Sequence, residues 1–109
     1  MNSDIGLSSK DKMLIASVLA TESAVEKATV FGSRAKGNYK KYSDVDIALY
    51  GCLTSHDAER IRLALDELAL IYSFDVAAYN ELKNAALKEH IDRIGVVVYE
   101  RDTAGGEEE

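Results

Sequence analysis

The sequence predicts an α/β (α+β) fold, a small mixed β-sheet with flanking helices. Two observations carry that prediction. Short runs rich in β-branched and aromatic residues ("AVEKATVF", "DVDIALY", "SFDVAAY" and "GVVVYE") alternate with longer stretches whose apolar residues recur at helical spacing. Residue pairs with the spacing of helix caps stand where those longer stretches begin.

Along the chain, Ser8 lies three residues before Asp11 and opens a helix running to about Thr21, with Leu14, Ile15, Val18 and Leu19 as its apolar face. The segment "AVEKATVFGS" reads as a strand that stops at a glycine. In the second strand, "SDVDIALYG", Val45, Ile47 and Leu49 share one face while Asp44, Asp46 and Ala48 share the other. Thr54 and Asp57 form another capping pair, ahead of a long helix with Ala58, Ile61, Leu65 and Leu68 on its buried stripe. "YSFDVAAY" is a third strand with Asp75 inside it. Asn80 is expected to cap a further helix bearing Leu87, Ile91 and Ile94, which Gly95 ends, and "GVVVYE" closes the sheet. Strand order is not readable from these patterns.

The 109 residues suggest one domain over residues 1–101, followed by an acidic tail (102–109) expected to be disordered. With 47% hydrophobic and 29% charged residues, and no apolar run of about 18, no membrane span is expected. The N-terminus lacks the pattern of a signal peptide, and the lone Cys52, read as a small partly buried hydrophobe, suits a reducing cytoplasm. A net charge of −6 argues against a general nucleic-acid binder. Against that background, Arg34, Lys36, Lys40 and Lys41 place four positive charges within eight residues, which points to an anionic ligand at one spot.

The carboxylates pose the sharper problem. Asp44 and Asp46, on one strand face with Cα atoms about 6.5–7 Å apart, can converge on a single point. Two like charges roughly 4 Å apart repel by about 4 kcal/mol at an effective dielectric near 20, so an arginine, a shared proton or a metal is expected to compensate them. Oxygen ligands with open positions suit Mg²⁺ carrying substrate phosphates. Asp75, a third acid mid-strand, would allow two Mg²⁺ ions, or would serve as general base towards an attacking hydroxyl. Gly32 and Ser33 end the first strand in a turn where a phosphate can approach free backbone N–H groups. Ser33 itself can cap the turn or donate its hydroxyl. Tyr39 and Tyr42 alternate with lysines, a pattern open to base stacking, although an exposed loop is the simpler reading. Tyr50, Tyr72, Tyr79 and Tyr99 read as packing residues. His56 and His90 have no metal-ligand spacing between them.

Gly-Ser, ten residues, then Asp-x-Asp is a specific combination. "FGSRAKGNYKKYSDVDIALY" together with "LKEHIDRIGVVVYE" resembles the minimal nucleotidyltransferase (MNT) domain proteins of the DNA polymerase beta-like nucleotidyltransferase superfamily. The resemblance spans roughly Leu14 to Arg101. It implies a nucleotidyltransferase fold and transfer of AMP from ATP to an acceptor hydroxyl with Mg²⁺. By the same resemblance Gly32, Ser33 and Arg34 would hold the triphosphate, and Asp44, Asp46 and Asp75 would bind metal and form the catalytic site. Lys36 stands where the family often has arginine, which keeps the charge but removes the bidentate fork. The family also implies a partner, a HEPN-domain ribonuclease toxin modified by AMP on a tyrosine, with this protein as its antitoxin. Two other readings stay open: a non-catalytic module that neutralises by binding, and an enzyme acting on a small-molecule acceptor. A homo-oligomer is also open, because so short a core leads us to expect an apolar interface patch.

Overall fold

The Ser8 side chain accepts a hydrogen bond from the Asp11 amide (3.0 Å) and starts α1 (Ser9–Ala20) in the computed structural model, which describes residues 5–101. Ile15 and Leu19 are the buried positions of α1. β1 (Val25–Phe31) follows, then a single helical turn, α2 (Ser33–Lys36), and β2 (Val45–Gly51). α3 (Ser55–Asp66) carries a complete capping box, in which Thr54 and Asp57 each bond the other's backbone amide. β3 (Phe74–Ala78), a 3₁₀ turn (Tyr79–Glu81), α4 (Ala85–Ile94) and β4 (Val96–Glu100) complete the chain.

The sheet order is β3-β2-β1-β4. β1 lies in the middle and pairs antiparallel with β2 and with β4, while β2 and β3 run parallel. A parallel pair needs a crossover connection, and α3 supplies it. Val45, Ile47 and Leu49 of β2 and Val25, Ala28 and Val30 of β1 join Ile15 and Leu19 of α1 and Ala58, Ile61 and Leu65 of α3 in one buried cluster. Each of these side chains, fully buried, is worth roughly 1–3 kcal/mol.

The opposite sheet face carries the candidate site, because β2 sends Asp46 and Ala48 there. Register places Phe31 and Thr29 of β1 beside them on one side, and Asp75 and Ala77 of β3 on the other. α4 packs against β1 on this side, with His90 edge-on to Phe31 (ring centroids 6.3 Å). One end of the face is thereby covered by α4, while the β2–β3 end carrying Asp46 and Asp75 stays accessible.

Three expectations need correction. Asn84, not Asn80, caps α4: its side chain accepts from the Leu87 amide (3.0 Å). Asn80 sits in the 3₁₀ turn and donates to the Leu53 carbonyl (2.9 Å), so β3 runs into a turn before the helix can start. Asp44 precedes β2 rather than belonging to it, and it is exposed. Cys52 is exposed just after β2, not partly buried. No helix among the described residues is long and apolar enough to cross a membrane. The acidic tail lies outside the described residues.

Candidate active site

β1 ends at Gly32, whose φ of +74° and ψ of −149° fall in a region that only glycine adopts readily. A second constraint also demands glycine here: the space a β-carbon would take is filled by Oδ2 of Asp46. The turn that follows β1 is therefore packed directly against Asp46 of the candidate site. Gly32 is itself the N-cap of α2, with no side-chain cap, and Ser33 is the first helical residue rather than the cap. The first N–H groups of any helical turn lack an intrahelical acceptor, so they remain available here. Lys36, at the end of α2, is exposed, and Gly37 ends the turn in the left-handed region at φ +90°.

Asp46 and Asp75 are direct register partners across the parallel β2–β3 pair and so project from the same face. Asp46 is half-buried, Asp44 and Asp75 exposed. Burial pushes the Asp46 carboxyl up to about 6, and the neighbouring Asp75 and Asp44 carboxylates add to the rise. Asp46 thus feels both neighbouring carboxylates, as expected of a half-buried acid beside like charges. All donors are oxygens, which fits a hard divalent cation. No three acidic, histidine or cysteine side chains among the described residues enclose a metal point by themselves. A cation here would complete its shell with water and phosphate oxygens, the arrangement that Mg²⁺ favours.

A polymerase beta nucleotidyltransferase family model matches residues 14–104, most of the chain. The chain belongs to that nucleotidyltransferase family. No curated protein sequence matches it at a significant level. Among solved structures, this nucleotidyltransferase is similar to a toxin–antitoxin with AMP-PNP (TM-score 0.68, 18% identity, covering 91% of this chain and 79% of that one). It is also similar to the complex of a tri-AMPylated Shewanella oneidensis HEPN toxin with its MNT antitoxin (TM-score 0.64, 16% identity, 89% and 76% covered). A third similarity is to a provisionally assigned minimal nucleotidyltransferase (TM-score 0.61, 27% identity, 78% and 89% covered).

Arg34 departs from what the motif suggests for this nucleotidyltransferase. It is 1% exposed, and its guanidinium makes four hydrogen bonds to three backbone carbonyls, those of Ile5, Lys41 and Ser43. Its donors are thereby committed inside the fold. The rings of Tyr39 and Tyr72 flank it, with centroids 5.0 and 4.7 Å from the guanidinium carbon. Tyr39 is thus a packing residue, while Tyr42 is exposed. A second aromatic pair, Tyr50 stacked on Tyr79 (4.6 Å), lies towards the α4 end of the site face, and the Tyr79 hydroxyl donates to Asp92. Sequence reading missed both assemblies, because each joins residues far apart in the chain and no local pattern marks them.

Proposed function

We propose that this nucleotidyltransferase is Mg²⁺-dependent, transfers AMP from ATP to a hydroxyl, most simply a tyrosine, of a HEPN-domain partner protein, and acts as the antitoxin of that partner. The observation that supports this most directly is the contact of Asp46 with Gly32 combined with its register pairing to Asp75. That arrangement brings a phosphate-binding turn, a carboxylate pair and an accessible sheet face together at one place. The similarity to antitoxins in complex with HEPN toxins, one of them tri-AMPylated, supports the choice of partner.

In this reading the backbone of Gly32 and Ser33 seats the triphosphate and Lys36 offsets its charge. Asp44 and Asp46, with Asp75, would hold the divalent ions, two in number, with water and phosphate oxygens completing their shells. Bound there, such an ion neutralises charge on the phosphates and eases ionisation of the acceptor hydroxyl. The acceptor oxygen attacks the α-phosphorus, a new P–O bond forms, and the bond to the bridging oxygen of the β-phosphate breaks. Pyrophosphate leaves with that electron pair. The hydroxyl proton passes to the Asp75 carboxylate, which projects beside Asp46 on the accessible face. Protein contacts contribute mainly positioning and electrostatic stabilisation, as in phosphoryl transfer generally.

The test is the intact mass of a HEPN-domain partner co-expressed with this chain, and separately with its Asp44→Asn/Asp46→Asn variant. A gain of whole AMP units, seen only with the parent, is the expected result. An unmodified partner that binds both forms equally well would make the chain a binding module instead.

A further inference from the structure

Arg34 follows Ser33 immediately, yet its side chain turns inward and ties three chain segments together. Nη1 donates to the Ile5 carbonyl (2.9 Å), at the start of the described chain. Nε and Nη2 both donate to the Ser43 carbonyl (3.2 and 3.0 Å), and Nη2 also reaches the Lys41 carbonyl (3.2 Å). The loop it grips is itself a closed turn, in which the Lys40 amide donates to Ser43 Oγ (2.7 Å) and the Ser43 amide to the Lys40 carbonyl (3.0 Å). Tyr72, one of the two rings on the guanidinium, donates to Asp11 of α1 (3.1 Å).

The next residue after Ser43 is Asp44. On its other side the Val45 amide donates to the Ser73 carbonyl (2.9 Å), two residues before Asp75. An exposed aspartate outside the strand ladder is therefore pinned on both flanks, by Arg34 on one and by the approach to β3 on the other. Because Arg34 also belongs to the turn that starts at Gly32, one side chain links that turn to the backbone immediately before Asp44.

We propose that Arg34 is a positioning residue, holding Asp44 in register with Asp46, Asp75 and the Gly32–Ser33 turn, and not a phosphate ligand. The proposal rests on the metal-dependent reading of the site given above. Planarity and the fork are both required, since three carbonyls in different directions and two flanking rings match a guanidinium and not an ammonium. Lysine keeps the charge but loses that geometry.

The deciding measurement is Mn²⁺ affinity of the full chain without nucleotide, read by electron paramagnetic resonance at a temperature where circular dichroism shows each variant folded. Arg34→Lys is expected to weaken Mn²⁺ binding by about 10-fold, the scale seen when groups supporting metal ligands are removed. Tyr39→Leu, which removes one flanking ring and leaves the fork, is expected to weaken it severalfold and serves if Arg34→Lys does not fold. Leu65→Ala, a core change in α3, provides a destabilised control expected to bind as the parent does. Unchanged affinity in the folded Arg34→Lys or Tyr39→Leu chain overturns the positioning role and leaves the metal reading intact. Equal weakening in Leu65→Ala also overturns it, because the loss would then be general. A parent chain whose Mn²⁺ binding is absent, or indifferent to Asp44→Asn/Asp46→Asn, overturns both readings.

Discussion

Asp46 and Gly32 occupy one space: the carboxylate oxygen of the first lies where a side chain on the second would begin. The strand-to-helix turn and the acid site are therefore a single construction, in which a side chain at position 32 would have to displace Asp46.

Gly32→Ala tests this. It meets an unfavourable backbone region, at a cost of about 1–3 kcal/mol, and a clash with Asp46 besides. Urea unfolding is expected to show that loss. The double variant Gly32→Ala/Asp46→Ala is expected to lose less than the sum of its parts, with a coupling of about 0.5–3 kcal/mol. Strict additivity would mean that the contact is unimportant.

Asp46 also gives a pH prediction. Unfolded, its carboxyl titrates near 4, about the ordinary value for aspartate; folded, it is pushed up to about 6, chiefly by burial. Between those pH values the folded chain holds a proton that the unfolded chain has shed. The stability this contributes is complete below about pH 4 and is lost as pH rises through about 6. Discounted for its partial exposure, the effect is about 1–2 kcal/mol. Asp46→Asn, neutral throughout, is expected to match the parent near pH 4 and to exceed it by that amount near pH 7.5 in metal-free buffer. An Asn variant that is less stable than the parent at neutral pH would contradict the account.

Lys36 stands exposed at the end of α2; its amide donates to the Gly32 carbonyl (3.0 Å), but no hydrogen bond or ion pair with the described residues holds its side chain. Lys36→Ala is expected to raise KM for ATP severalfold with little change in kcat, the mark of an interaction made equally in ground and transition states. A fall in kcat at constant KM would instead place the lysine on the reacting phosphate.

The two asparagines before α4 separate cleanly. Asn84→Ala removes the cap from the Leu87 amide and is expected to cost about 1 kcal/mol, read in a thermal melt. Asn80→Ala loses only the bond to the Leu53 carbonyl and leaves α4 capped, so amide exchange in the first turn of α4 is expected to rise in the Asn84 variant alone.

Much of this was legible beforehand. Ser8–Asp11 and Thr54–Asp57 are cap pairs whose bonds close within three residues, so local spacing is enough to find them. The alternation of Val45, Ile47 and Leu49 with Asp46 and Ala48 placed the first three in the core cluster and Asp46 on the opposite face of β2. Asn80 misled because both asparagines offer the same short side chain, and only the path of β3 into a 3₁₀ turn selects Asn84. The burial of Arg34 was not legible, for a different reason. Beside Gly-Ser in an electropositive segment it reads as a phosphate ligand, and what turns it inward lies at Ile5, Ser43 and Tyr72.

By itself, then, the sequence determined much that is governed by near neighbours: strand and helix periodicity, two of the three side-chain helix caps among the described residues, and the Gly-Ser to Asp-x-Asp spacing. Tertiary structure alone decided the strand order, the parallel pairing that sets Asp75 beside Asp46, and the burial of Arg34. The division is physical. Short-range preferences are properties of a segment, whereas pairing and burial are won in competition among segments, and their outcome depends on residues that meet only when the chain has folded.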